Sequence, residues 1–146
     1  MKAKAPQKKK DGFSLIELII TIAVIATLTA IAVPIYTDYI TKTNRADAIA
    51  SLTTIALNEE EYMLKNGIYS DTITNIWQSN NSSKGYYTLT LYTLDLSGEV
   101  TTPVNATGFK VEATAINSQA NDSSCTTITL ISNNGQITKN PTQCWK

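Results

Sequence analysis

From Leu18 to Thr37 the chain runs for 20 consecutive residues without a formal charge, LIITIAVIATLTAIAVPIYT. An α-helix of about 20 apolar residues covers the ~30 Å hydrocarbon core of a bilayer. A chain of 146 residues has little core in which to bury such a helix on every side, so the run predicts membrane insertion. Beyond it, Asp38, Lys42, Arg45, Asp47, Asn58, Glu59, Glu60, Glu61 and Lys65 bring in charges and amides. The helical period nevertheless continues. Ile49, Leu52, Ile55, Ala56, Tyr62 and Met63 recur at three- and four-residue steps, the spacing of one helix face. Asn66-Gly67 is a stop signal, because glycine takes the left-handed cap conformation cheaply. One helix from Phe13 to Asn66 is predicted, apolar all round in its first half and striped in its second.

The remaining chain reads as strands and loops. Residues 68–84 hold Asn75, Ser79, Asn80, Asn81, Ser82 and Ser83 around a lone Trp77, the composition of a loop packed at one point by an aromatic ring. Tyr86–Tyr92 alternates with period two, and Phe109–Ala115 does so more cleanly, with Phe109, Val111, Ala113 and Ala115 facing inward. Thr126–Ile131 makes a third strand, and Asn133-Asn134-Gly135 a hairpin turn into Gln136–Thr138. The fold class is α+β: a long N-terminal helix on an antiparallel sheet of three or four strands.

Charge refines this picture. The chain has 12 basic and 12 acidic side chains, but Lys2, Lys4, Lys8, Lys9 and Lys10 crowd ahead of position 12 beside a single acid, Asp11. Residues 13–146 hold the other 7 basic and 11 acidic groups, a net charge of −4. A basic head joined to an apolar run is a targeting arrangement, and its lysines favour the cytoplasmic side. The chain has no histidine and only two cysteines, which removes the commonest general base and any structural zinc site. Asp122 with Ser123 and Ser124 brings too few carboxylates together for calcium. No cofactor and no enzymatic activity are expected. Sequons at Asn80, Asn81, Asn105 and Asn121 are assigned no glycan.

A cleavable-looking junction lies between the lysines and the helix, in KKKDGFSLIEL from Lys8 to Leu18. Glycine there leaves the backbone open to a protease. The segment GFSLIELIIT resembles the class III signal of type IV pilins and pseudopilins. The resemblance implies that residues 1–12 are a leader cut after Gly12 by a prepilin peptidase, with Phe13 becoming an N-methylated terminus. It implies that residues 13–40 are the membrane and filament-core helix, and 41–146 the globular head. Glu17 is then the acidic residue used in assembly, and Pro34 the proline within the helix. A carboxylate in an apolar helix costs roughly 2–3 kcal/mol to insert, so Glu17 calls for a polar partner. In the family that partner is the N-terminal amine of a neighbouring subunit. Pro34 removes a helix hydrogen bond and predicts a kink or a locally melted turn.

Cys125 and Cys144 allow two free buried thiols or a bridge, and an exported head meets an oxidising compartment where a bridge persists. Pilins carry such a bridged C-terminal region. The stretch RADAIASLTTIALNEEEYMLKNGIYSD and the C…TITL…NNG…CW arrangement resemble the minor, competence-associated pilins. Glu59-Glu60-Glu61 reads as a solvated helix face, and a pairing of Arg45 or Asp47 between subunits is given no site. The leading function is a structural pilus subunit, held in the inner membrane and then extracellular. Its partners are other pilins, the peptidase, the inner-membrane assembly machinery and, before assembly, lipid; motility, adhesion and DNA uptake are the implied roles. The alternative is a DNA-binding minor pilin, for which the head beyond residue 66 offers Lys84, Lys110, Lys139 and Lys146. A type II secretion pseudopilin is the third reading, disfavoured by the bridged tail and the missing calcium loop.

Overall fold

The computed structural model describes residues 12–146, and the leader ahead of Gly12 lies outside the described residues. Helix α1 runs Leu15–Asn66. Four strands follow in chain order, β1 Tyr87–Leu94, β2 Gly108–Ala115, β3 Thr127–Asn133 and β4 Gln136–Asn140, with short 3-10 turns between and after them. The chain divides into two compact units, one running to Asp38 and the other Tyr39–Lys146.

In the first unit α1 is long and apolar enough to cross a membrane. Its threonines satisfy their hydroxyls internally: Thr21 donates to the Glu17 carbonyl, Thr27 to Val24 and Thr29 to Ile25. Hydroxyls tied back in this way add little polarity to an apolar surface. The helix continues through Pro34 without a break in this single chain. The Thr37 hydroxyl donates to the Pro34 carbonyl at 2.8 Å.

In the second unit the sheet is a plain antiparallel meander in the order β1-β2-β3-β4. The register aligns Leu91, Val111 and Leu130 on one face and Tyr92, Lys110 and Ile131 on the other. The first face meets Ala48, Leu52 and Ile55 of α1, all fully buried, with Tyr87, Phe109, Val111 and Ile128. The four inward residues expected on β2 are all buried. Gly108 is required where it stands, because a Cβ there would come within 2.2 Å of the Ser132 carbonyl oxygen. Gly67 ends α1 at φ 75°, its N–H donating to the Met63 carbonyl. Asn134-Gly135, at φ 52° and 75°, forms the two-residue turn that pairs Asn133 with Gln136.

Two expectations are corrected. The loop after α1 is held at more than one point: Tyr69, Ile73 and Ile76 are core residues, and the half-buried Trp77 packs against that core and donates its indole N–H to the Asn81 carbonyl. Spacing within the loop concealed this, since a 3-10 turn at Ile73–Asn75 brings the aliphatics inward. Glu59 is fully buried, not part of a solvated face. Its carboxylate accepts the Ser70 N–H, which returns the chain toward the sheet.

Candidate functional site

Gly12 and Phe13 precede α1 outside any helix or strand, and Phe13 is 86% exposed. Glu17 lies in the first helical turn, where a negative charge is favoured by the unpaired N–H groups of the helix end. The structure therefore presents an open backbone junction, an exposed aromatic side chain and an acid in sequence, followed by an uninterrupted apolar helix surface. Leu15, Ile16, Leu18, Ile22, Leu28, Ile31 and Ile35 are each more than half exposed. Apolar surface on that scale is a helix-packing or lipid-facing surface.

Cys125 and Cys144 are joined by a disulfide with Cα atoms 5.9 Å apart, both residues buried. The bridge fastens the 3-10 turn Thr142–Trp145 beside the start of β3. Next to it, Lys139 of β4 lies over the Trp145 ring, 4.8 Å from its centroid, and Trp145 donates its indole N–H to the Asn140 carbonyl. Every side chain of β4 is exposed. Lys139 and Asn140 thus meet the Trp145 indole, and the neighbouring Gln143 and Lys146 are exposed beside it in the chain. Lys110 is spoken for: its ammonium stands 3.4 Å from Glu112 and 4.4 Å from the Tyr92 ring centroid. Of the four lysines beyond residue 66, Lys84, Lys139 and Lys146 are exposed and make no ion pair among the described residues.

A buried polar network ties α1 to the segments that lead into β1 and β3. Arg45 of α1 grips Asp122 with two hydrogen bonds and donates a third to the Ser124 hydroxyl, one residue before Cys125. Gln119 donates to the Thr41 carbonyl and to the Tyr87 hydroxyl. Asp47 accepts the Ser82 hydroxyl and the Lys84 N–H, while Ser51 accepts the Ser83 N–H. Arg45, Asp47 and Asp122 stand out in the sequence, but their pairings with distant segments do not. Arg45 finds its partner 77 positions away within the chain.

Two family profiles match. Residues 7–33 match the prokaryotic N-terminal methylation motif, and residues 34–129 match the family described as type IV minor pilin ComP, DNA uptake sequence receptor. The chain is 33% identical over 113 residues to a fimbrial protein of Neisseria meningitidis, a match covering 77% of this chain and 59% of that protein. It is 37% identical over 79 residues to the type IV major pilin protein PilE of Neisseria gonorrhoeae, covering 53% of this chain and 47% of the relative. It is 33% identical over 109 residues to the type IV major fimbrial protein FimA of Dichelobacter nodosus, covering 72% of this chain and 66% of FimA. The matched part of the chain spans about half to two thirds of each relative's length. With a methylation motif running into a pilin head, and with the α1-on-sheet architecture and bridged C-terminal region in place, the chain belongs to the type IV pilin family.

Proposed function

We propose that this protein is a minor subunit of a type IV pilus. A prepilin peptidase cuts between Gly12 and Phe13 and methylates the new terminus, while α1 holds the subunit in the inner membrane with its basic leader in the cytoplasm. During assembly the apolar face of α1 exchanges lipid for the helices of other pilins, and Glu17 pairs with the terminal amine of a neighbour. Losing one partner of such a buried pair costs about 3–5 kcal/mol, enough to decide incorporation. The observation that carries this reading is the tandem match, in which a processing motif at 7–33 passes without a gap into a pilin head at 34–129. The test is incorporation of Glu17→Ala into pili, measured beside Glu17→Asp. Loss with the first and retention with the second support the assembly role; normal incorporation of Glu17→Ala refutes it.

A second reading is favoured by the family matched over the head: this subunit receives DNA. Lys139 and Lys146 supply phosphate contacts, Trp145 a stacking surface, and Asn140 and Gln143 amides of the kind that read base edges. The mature chain is acidic, so contact is confined to this edge. Binding of duplex DNA by the full chain in detergent, weakening steeply with salt and reduced by Lys139→Ala, supports it; no binding at low salt contradicts it.

A further inference from the structure

The chain contains two Asn-Gly pairs, Asn66-Gly67 and Asn134-Gly135, and the structure treats them oppositely. Both glycines are sterically open, with nothing within 4 Å of where a Cβ would stand. An unhindered glycine nitrogen is the best backbone nucleophile for the carboxamide carbon of the asparagine before it. At Asn66 both reacting groups are engaged. The Asn66 Nδ2 donates to the Tyr62 carbonyl at 2.9 Å, and the Gly67 N–H to the Met63 carbonyl at 2.8 Å. At Asn134 neither is engaged: the exposed carboxamide and the Gly135 N–H make no hydrogen bond among the described residues. The neighbouring Asn133 is tied down, donating to the Asp95 carbonyl and accepting from the Thr107 hydroxyl.

We propose that Asn134 is a site of intramolecular deamidation, a covalent modification that the fold permits there and suppresses at Asn66. The Gly135 nitrogen bonds to Cγ of Asn134, the Cγ–Nδ2 bond breaks, and ammonia leaves carrying the former amide proton. Water then opens the five-membered imide at one of its two carbonyls, yielding aspartate or isoaspartate. No oxidant or reductant takes part. Placing the nucleophile within the same chain, beside the carbon it attacks, makes the step unimolecular. Freedom of the two groups to meet then sets the rate.

The product has structural consequences. Either outcome puts a carboxylate at the tip of the β3–β4 hairpin, the hairpin that carries Lys139. Isoaspartate also inserts an extra carbon into the main chain of a two-residue turn whose geometry pairs Asn133 with Gln136 and so positions β4.

The test uses the full chain purified in detergent and aged in warm, mildly alkaline buffer. Peptide mass spectrometry follows the gain of about one mass unit at each site, and enzymatic methylation identifies isoaspartate. In the native chain Asn134 is expected to convert at least roughly tenfold faster than Asn66, and in denaturant the two rates should converge. Any smaller native ratio overturns the proposal. So does a ratio that persists unchanged in denaturant, because sequence and not the fold would then be its source.

Discussion

Arg45 and Asp122 form a two-point ion pair, Nε to Oδ2 at 2.7 Å and Nη2 to Oδ1 at 2.8 Å, with side chains only 14% and 4% exposed. The pair ties α1 to the segment leading into Cys125. Burial works to push the Asp122 carboxyl up, but the Arg45 hydrogen bonds and charge prevail and hold it below its ordinary value of 3.8. The guanidinium is held above its own ordinary value by its hydrogen bond to Asp122, against the effect of burial. Removing one member strands the other.

Arg45→Ala is therefore expected to destabilise the head by about 3–5 kcal/mol. Arg45→Met with Asp122→Leu should recover much of that loss. Thermal unfolding followed by circular dichroism checks both. Asp122 has a lowered carboxyl, so its contribution is present above about pH 4 and is lost as the pH falls through the lowered value. Acid unfolding of the Arg45 variant should be correspondingly less steep.

Glu59 predicts the opposite dependence. Burial raises its carboxyl to about 7; the Ser70 N–H opposes the shift, and the charges of Glu60 and Asp71 add to it. A carboxyl that binds its proton more tightly when folded stabilises the fold at low pH. That contribution is complete below its ordinary value of 4.5 and is lost as the pH rises through about 7. Between pH 6 and pH 8 the head should lose about 1 kcal/mol, a fall of roughly 5 °C in melting temperature. Glu59→Gln should flatten that slope, and a slope unchanged in this variant would refute the assignment.

Much of the fold is local and so is readable. Period two in Phe109–Ala115, the Gly67 stop and the Asn134-Gly135 turn each rest on conformational preferences of a few neighbouring residues. β4 shows no burial alternation, because it is an edge strand with every side chain exposed, and only the turn before it announces it. Of the candidate site, the processing junction, Glu17 and the Lys139–Trp145–Lys146 neighbourhood could be read from adjacency. The Arg45–Asp122 pair, the Asp47 contacts with Ser82 and Lys84, and the burial of Glu59 depend on how distant segments meet, and no local pattern encodes them.

The disulfide predicts a localised effect. Cys125→Ser with Cys144→Ser should cost about 3 kcal/mol in the chain-entropy model for a loop of about 20 residues. The loosened segment should be the one beyond β3. Limited proteolysis should nick the double variant near Pro141–Lys146 while leaving β1 and β2 intact.

At the solvated edge, Lys139→Ala and Trp145→Ala separate charge from stacking. The first should lower the salt slope of DNA binding by about one unit. The second should weaken binding by about 1–3 kcal/mol with little change in slope. Filter binding across a salt series reads both.

Mass spectrometry of pili sheared from cells bears most directly on whether this chain is a processed filament subunit. The predicted result is a peptide beginning at N-methylated Phe13, with nothing of residues 1–12, together with a Cys125–Cys144 linked peptide from the same fibres. Fibres devoid of this chain, or fibres in which it still carries its lysine-rich leader, would contradict that role.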